Sequence, residues 1–213
     1  RGDISIINFE ASAFHIGIEN LVAAGRGTAF KNLGKVNSAG LELNALLSLS
    51  KSLNILPDFH LSYTYLKTAV VDGRIISNVS GKVGSEVSIK DKELPYAPRH
   101  TLTTGISGNY FNSFSFRLDF RYVSKVYTDF ENIEKQDNLG IAGSIDAYSF
   151  VNISANYEIN PSYRIFFSGK NITDQIYIGS RLHSNPGQPQ ANLSSGIIPG
   201  PRRQINIGLE YSF

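Results

Sequence analysis

Apolar and polar side chains alternate one by one through most of this chain. Apolar residues occupy every second position from Phe114 to Tyr122, with Ser115, Arg117, Asp119 and Arg121 between them. A period of two places alternate side chains on opposite faces of a β-strand. No stretch of similar length shows the i, i+3, i+4, i+7 spacing of an amphipathic helix. The pattern predicts an all-β chain.

The alternation predicts eight long strands. The second strand contains Gly34 and Gly40, and a hinge between them would give nine strands instead. Many of the strands exceed the roughly 9–11 residues that a tilted strand needs to cross a bilayer. Strands in globular proteins usually have about 5–6 residues. The expected ranges are 4–20, 27–50, 58–71, 100–111, 114–128, 146–158, 163–178 and 203–213.

The connections between these strands alternate in length. Short turns are expected at 112–113 and 160–162 and a modest one at 51–57, whereas the intervening connections are long and polar. Short turns at one end and long loops at the other are typical of an antiparallel transmembrane β-barrel. A soluble barrel or sandwich that buries the apolar face is the alternative. Strand length and loop asymmetry favour the membrane. The long connections are 72–99, 129–145 and 179–202.

Composition excludes several classes of protein and site. The formal net charge of the 213 residues is only +2, which does not indicate a nucleic-acid partner. The chain has no Cys, which excludes disulfides and thiolate metal sites. It also has no Met, so we expect a processed chain or an excised piece of a longer one. No run of 18 apolar residues occurs, so no transmembrane helix is predicted.

The last eight residues, Asn206–Phe213, carry a second signal. Asn206, Gly208, Tyr211 and Phe213 match the C-terminal assembly pattern of bacterial outer-membrane proteins, which is polar, any, Gly, two of any, aromatic, any, aromatic. In a barrel, such a strand would close against the first strand and turn its aromatic residues to lipid. We therefore expect the outer-membrane assembly machinery to be a partner.

Four further motifs, in order along the chain, resemble TonB-dependent outer-membrane transporters. Phe30–Leu43 resembles the family's N-x-G-K-x…G-x-E-x strand, and Leu94–Leu102 its P-x-x-P-x-H-x-L run. Gly169–Tyr177 resembles the N-L-F-D-x-x-Y element, with Ile172-Thr173 where Leu-Phe is usual. Gly196–Arg202 resembles the G-x-x-P-G-x-P-R run with one spacer fewer. The Leu94–His100 and Gly140–Asp146 segments are most similar to the ferric-citrate branch.

The resemblance implies a barrel of 22 strands around an N-terminal plug. Residues 1–213 would then be the C-terminal part of the barrel domain, with the plug, the earlier strands and the TonB-contacting segment outside this chain. It implies uptake of a ferric chelate, either a siderophore or ferric citrate, through the outer membrane. The expected surroundings are lipid and lipopolysaccharide. No cofactor is expected, because iron would be only the transported cargo.

Signals of enzyme chemistry are missing from the sequence. The histidines are widely separated and form no H-E-x-x-H pattern, and neither a G-x-S-x-G elbow nor a phosphate-binding P-loop occurs. We therefore expect no catalytic residues and no resident metal. The four histidines are His15, His60, His100 and His183.

The polar face supplies candidate contacts to the lumen and plug. Arg117, Asp119 and Arg121 share one strand face with neighbours about 7 Å apart, and Glu42 and Glu210 point the same way in the alternation. They are expected either to hold a plug through many weak ion pairs or to form a generic solvated wall.

The long loops supply candidate ligand contacts. The segment Gly179–Arg203 contains three arginines and no acid, and arginine binds anionic oxygens through paired hydrogen bonds. Arg181, His183, Asn185 and Gln188 are the candidates there, against the alternative of a loop with incidental charge. The acidic segment 129–146 suggests Ca²⁺ as a weaker hypothesis, because the D-x-D-x-D-G pattern is missing.

Two other functions stay open at this point. One is a structural or adhesive outer-membrane barrel without a transported ligand, and the other is a soluble β-sandwich that binds carbohydrate. A plug encoded upstream would favour transport, whereas a signal peptide directly before Arg1 would favour the scaffold.

Overall fold

The computed structural model describes residues 2–4, 6–24, 30–32, 34–77, 82–138, 140–181 and 196–212. Nearly all regular structure in these ranges is β-strand. The single helical element is a 3₁₀ turn, Leu49–Lys51. Within the described ranges, no helix has the length and apolar character that crossing a membrane requires.

The described strands number fifteen and vary from three to fifteen residues in length. In chain order they are β1 (Gly2–Ile4), β2 (Ile7–Ile18), β3 (Val22–Ala24), β4 (Phe30–Asn32), β5 (Lys35–Leu47), β6 (Asp58–Asp72), β7 (Arg74–Ile76), β8 (Glu86–Ser88), β9 (His100–Tyr110), β10 (Phe114–Val123), β11 (Tyr148–Asn160), β12 (Tyr163–Lys170), β13 (Ile178–Arg181), β14 (Ile197–Pro199) and β15 (Gln204–Tyr211).

Nine of these strands form one antiparallel sheet in the order β1-β2-β5-β6-β9-β10-β11-β12-β15. Within the sheet, each strand pairs with the sheet strand that comes next along the chain. Three small hairpins, β3-β4, β7-β8 and β13-β14, lie in the long connections. In the described residues β1 and β15 lie at the two edges, so this sheet is open. The prediction of an antiparallel all-β sheet with eight long strands is confirmed. The ninth strand is the short β1.

Four predicted strands differ clearly from the structure. The range 4–20 is divided, because Ile4 ends β1 and Ile7 begins β2, which pairs back on β1. The range 27–50 is interrupted at Gly34, whose φ of 81° suits glycine, and a Cβ there would collide with the backbone of Asp72. Gly40 stays inside β5, packed against the ring of Phe14. The ranges 114–128 and 163–178 end at Val123 and Lys170, because the chain there leaves the sheet to build long loops.

The register keeps like faces together across the whole sheet. Leu118 lies opposite Ile106 on one side and Ile153 on the other, while Asp119 lies opposite Gly105 and Asn152. The strands therefore share one apolar face and one polar face. Apolar-face side chains are largely exposed in this chain, and Ile207 is 73% accessible. A face of this kind requires a nonaqueous neighbour.

Aromatic residues border the apolar face at both ends. At the end with the tight turns, the ring of Tyr110 stacks on Phe116 and that of Tyr163 packs on Tyr211. At the other end, His100 packs against Tyr63 and Tyr65. Positions 114 and 122 lie at the two ends of the apolar face of β10. They are eight residues apart, which is about 27 Å along a strand. At a tilt of about 40° this is roughly 20 Å of height, close to the apolar band of outer-membrane barrels.

The buried core lies beyond the sheet's aromatic border, at the end with the long loops. Val36 and Val70 face each other on β5 and β6, and Ile89 from the connection 73–99 covers them. All three are fully buried. The hydrophobic residues packed around them are Leu21, Ile75, Leu94 and Phe130. This core fixes the long loops on the strands, so the polar face ends in an ordered structure.

Candidate functional site

A charged cluster occupies the polar face of the sheet. The His60 Nε2 atom lies 2.6 Å from Asp119 Oδ1, and Arg117 binds the same carboxylate through Nε at 2.9 Å and Nη2 at 2.8 Å. His60 and Asp119 come from β6 and β10, with Gly105 of β9 between them in the same row. A Cβ at Gly105 would meet the imidazole. Glycine therefore makes room for a side-chain contact across an intervening strand.

The imidazole in this cluster has one nitrogen to spare. The Nε2 atom is shared by two neighbours, because it lies 2.6 Å from Asp119 Oδ1 and 2.8 Å from Arg117 Nη2. The His60 Nδ1 atom is buried and has no hydrogen-bond partner among the described residues. A buried polar atom of this kind normally has a partner. Arg117 is the exposed member of the cluster, with 49% of its side chain accessible, and it can therefore meet a second structure packed on the polar face.

Three aromatic rings form a shelf on the same face, near the long loops. Tyr148 and Tyr177 stack at 4.1 Å between ring centres, and Phe150 lies 5.7 Å from Tyr177. Arg121 is paired with Phe150 in the register. We call Tyr148, Phe150, Tyr177 and Arg121 the ring shelf. It joins flat apolar surfaces to one exposed cation.

Tyr177 is held in place by its surroundings. Its ring lies against Gly200, where a Cβ would collide with it, and Gly200 N donates to the Tyr177 carbonyl at 2.8 Å. Burial raises the pKa of the Tyr177 hydroxyl, against the smaller opposite effect of the Arg121 charge. The phenol therefore remains a neutral donor at physiological pH.

Arg181 lies in the protein and not on an outer surface. It is 4% exposed, and its guanidinium donates to the carbonyls of Gly140 at 2.6 Å, Gly143 at 2.8 Å and Ser144 at 2.9 Å. A further hydrogen bond reaches Gln136 Oε1 at 3.1 Å. Arg181 was expected to be an exposed ligand contact, but the structure places it in a buried position. Five donors in a planar fork suit it to converging carbonyls of loop 124–147.

Other contacts join the same loops. The Tyr96 hydroxyl donates to the Arg181 carbonyl at 3.1 Å. Asn132 Nδ2 donates to the carbonyl of Glu93 at 2.9 Å, while Glu93 N donates to Asn132 Oδ1 at 2.7 Å. The described parts of loops 73–99, 124–147 and 171–203 are therefore linked to one another. They form a single layer over the long-loop end of this sheet.

The remaining arginines predicted to attract anions are partly neutralised. Arg202 binds Asp174 through Nε at 2.9 Å and Nη2 at 2.6 Å, and the Arg203 backbone N donates to the same carboxylate at 3.1 Å. These contacts hold the pKa of Asp174 well below its usual range. Asp174 lies just before the segment Gly179–Arg203 and balances part of its positive charge. A charge count restricted to that segment does not include this carboxylate.

The other candidates of the polar face and the assembly signal lie on strands. Ser12 Oγ donates to Glu42 at 3.4 Å across β2 and β5, and Glu210 pairs with Arg164 across β15 and β12. The predicted sharing of one face by these residues agrees with the register. Asn206, Gly208 and Tyr211 lie in β15. His183, Asn185, Gln188 and Phe213 lie outside the described residues.

The acidic loop forms no cluster of carboxylates in the described ranges. Glu134 pairs with Lys125 at 2.8 Å, which lowers the pKa of that carboxyl, and Glu131 accepts from Ser77 at 2.9 Å. No group of three or more His, Asp or Glu side chains there could hold a metal ion. The described structure gives the calcium hypothesis no support.

The sequence pattern identified Arg121 but neither His60 nor the three rings of the shelf, although a signal for the rings exists. Tyr148 and Phe150 occupy polar-face positions of β11, where the alternation calls for polar residues. Aromatic residues on a face otherwise lined by Asn, Ser and Arg break the pattern. Tyr177 comes from a loop, and no periodicity connects it to β11.

Comparison with known proteins identifies the fold's relatives. Residues 2–172 match the family described as TonB dependent receptor-like, beta-barrel. The siderophore receptor PiuA from Acinetobacter baumannii matches over 97% of this chain and 26% of its own, with 16% identity and a TM-score of 0.69. The ferric citrate transporter FecA in the unliganded form matches over 96% of this chain and 29% of its own, with 21% identity and a TM-score of 0.70.

A third structure gives the same result. The ferric yersiniabactin uptake receptor FyuA from Yersinia pestis matches over 99% of this chain and 28% of its own, with 15% identity and a TM-score of 0.70. This chain spans less than a third of each of these structures. At such identities the likeness concerns the fold. No curated protein sequence matches this chain significantly.

Proposed function

Because this chain belongs to the TonB-dependent receptor-like β-barrel family, we propose that it is the C-terminal barrel portion of an outer-membrane receptor for ferric chelates. A siderophore or ferric citrate binds at the long-loop end and passes through the barrel lumen. TonB supplies the mechanical work through a region outside this chain. Iron is the cargo of this receptor, and no reaction is assigned to it.

The ring shelf carries the proposal. It lies on the polar face at the long-loop end, and it combines stacked rings with the Arg121 guanidinium. Ferric chelates present flat aromatic or carboxylate groups that carry negative charge. Aromatic rings supply flat apolar contact, and a guanidinium supplies charge-assisted hydrogen bonds to anionic oxygens. Arg121 is therefore assigned to the chelate oxygens and the rings to its flat ligands.

In this proposal the two faces of the sheet have different surroundings. The apolar face with its two aromatic borders contacts lipid and lipopolysaccharide, and the polar face lines the lumen. The His60–Asp119–Arg117 cluster meets the plug there through its exposed Arg117 guanidinium. Glu42 and Glu210 line the same wall. The open edges of the sheet are continued by strands outside this chain, which favours a large barrel over a closed eight-strand scaffold.

Ligand binding by the full-length receptor tests this function. Purified receptor is titrated with ferric citrate, a ferric catecholate and a ferric hydroxamate, and affinity is measured by calorimetry. Arg121→Gln is expected to weaken binding of the preferred chelate by roughly 10- to 150-fold, because one charge-assisted hydrogen bond contributes about 1.5–3 kcal/mol. Adding Tyr177→Leu to Arg121→Gln is expected to weaken binding of that chelate further.

The matched control is Arg164→Gln, which removes another arginine of the polar face. Arg164 pairs with Glu210 at the tight-turn end, far along the strand from the shelf. Its affinity should equal that of the wild type. A receptor that binds none of the three chelates would instead support the structural or adhesive barrel. Equal effects of both arginine variants would remove the ring shelf from the site.

A further inference from the structure

Phe111 occupies an unusual position at the tip of the β9–β10 turn. Its side chain is 94% exposed, and its φ is 54°. Asn112 has the same φ, and Ser113 N donates to the Tyr110 carbonyl at 3.1 Å. Both central residues of the turn are therefore left-handed. Turns of this kind strongly favour Asn-Gly, and a bulky residue at positive φ is uncommon.

The turn hydrogen bond and the paired strands support the backbone of Phe111, but almost nothing in the described chain supports its side chain. A residue held in a disfavoured backbone conformation is usually supported by surrounding contacts. The Phe111 side chain has almost none, because nearly the whole ring projects into its surroundings. The ring is therefore available for contact with a surface outside this chain. The question is which environment lies at the tip of this turn.

The location of the turn answers this question. Phe111 follows Tyr110, whose ring stacks on Phe116 at 5.9 Å as part of the aromatic border of the apolar face. One residue advances the chain by about 3.4 Å. Interfacial side chains enter the boundary between lipid headgroups and acyl chains over roughly 5–10 Å. Phe111 is thus within reach of the same boundary as the aromatic border.

The local charge and the neighbouring residues agree with a lipid environment. The segment 101–116 contains no Asp, Glu, Lys or Arg, so the hairpin offers no charge to a protein partner. At the same end, Ile159 is 51% exposed near the end of β11, and Ile55 is 68% exposed in the turn between β5 and β6. Exposed apolar side chains thus continue the apolar face past its aromatic border.

We propose that Phe111 is a membrane anchor that inserts its ring into the lipid headgroup boundary on the tight-turn side. The occupant of this surface is the bilayer that already covers the apolar face. The inference rests on the proposed membrane location of the sheet. The anchor would fix the depth of this hairpin in the membrane. An Asn-Gly turn would form more easily, but it would have no ring to perform this role.

Site-directed spin labelling of the full-length receptor in a bilayer tests the anchor. This chain has no Cys, so Phe111→Cys adds one labelling site to it, with any cysteines elsewhere in the receptor replaced. Collision rates of the nitroxide with oxygen and with a water-soluble nickel complex report its depth. At position 111 oxygen collisions should clearly exceed nickel collisions.

Two reference positions separate the possible outcomes. Val83→Cys, on an exposed loop residue at the opposite end, should favour nickel, and Ile207→Cys, on the apolar face, should favour oxygen. A label at 111 that behaves like Val83 would overturn the anchor while leaving the membrane location intact. A label shielded from both reagents would indicate a protein partner and also overturn it. A label at Ile207 that favours nickel would refute the membrane location itself.

A second measurement covers the case in which the cysteine variant does not assemble. Phe111→Trp keeps an aromatic ring, and this chain has no other Trp. The difference between its fluorescence and that of the wild type isolates the new indole. Lipids brominated near the headgroup should quench it strongly. Quenching no greater than that by aqueous acrylamide alone would contradict the anchor.

Discussion

Replacing Arg181 with Met should release loop 124–147 from the loop layer. Met has a similar length and fills part of the space, but it donates no hydrogen bonds. The substitution leaves the carbonyls of Gly140, Gly143 and Ser144, together with the Gln136 amide oxygen, without their present donors. We therefore expect local opening of this loop and not collapse of the barrel.

The magnitude follows from the burial of the contacts. Hydrogen bonds to charged groups contribute about 1.5–3 kcal/mol each, and an unsatisfied buried acceptor costs about 1–3 kcal/mol. Four such bonds are lost, although water can enter the opened loop and replace several of them. A net loss of about 3–5 kcal/mol is expected, comparable to breaking a buried ion pair. At 1.4 kcal/mol per decade this is roughly 140- to 3,700-fold in the local opening equilibrium.

Hydrogen exchange of the full-length receptor measures that equilibrium. The amides of Val126 and Ile145 are informative, because each donates to the other's carbonyl and holds the base of the loop. Their protection should fall by the stated factor, whereas protection in β10 and β11 should not change. Arg203→Met is the matched control. The Arg203 guanidinium is half exposed and 3.9 Å from Asp174, so less than about 1 kcal/mol is at stake.

Two results would refute this reasoning. Unchanged exchange at Val126 and Ile145 would mean that Arg181 does not support the loop. A uniform loss of protection through the strands would mean that the substitution disrupts the barrel and not the loop layer.

Three further predictions concern the base of loop 171–203 and the last strand. Asp174 accepts hydrogen bonds from Arg202, and a carboxyl with a lowered folded pKa contributes stability above its unfolded pKa of about 4. Amide protection at this base should therefore persist from pH 7 down to about 4 and fall only at lower pH, whereas Asp174→Asn should reduce it already at pH 7. Gly208→Val should lower the yield of assembled receptor, because a Cβ at Gly208 would collide with the Phe166 ring, and surface abundance measures this. Removing Phe213 should reduce surface abundance while leaving chelate affinity per assembled receptor unchanged, which whole-cell binding normalised to receptor number would show.

The strands and their faces could be predicted because their cause is local. Side-chain direction in a strand depends only on position, so the alternation around Leu118 and Asp119 fixes which face each occupies. Pairing then brings like faces together. A shift of one residue would place charges among apolar neighbours. The strand ends were less predictable, because Val123 and Lys170 end their strands through loop contacts that alternation does not encode.

The loop layer could not be predicted in the same way. The carbonyls that Arg181 binds lie about 40 positions away in sequence, separated by the whole hairpin β11–β12. Every residue has a backbone carbonyl, so no sequence motif identifies these particular carbonyls as partners of Arg181. Arg181 therefore looks like a free loop cation in the sequence and is a buried link between loops in the structure. Composition alone cannot separate these two roles of arginine.

The position of Arg181 changes the proposed origin of anion attraction. Its charge is spread over carbonyls, and Arg202 is matched by Asp174, so the cation most available to a ligand at the shelf is Arg121. Tyr177 is meanwhile fixed by Tyr148 and by Gly200. A surface held in its binding geometry loses little conformational entropy when a ligand arrives. In the proposed receptor the loop layer would thus contribute to chelate affinity by holding the shelf, and Arg181 and Arg202 would act through structure more than through direct contact.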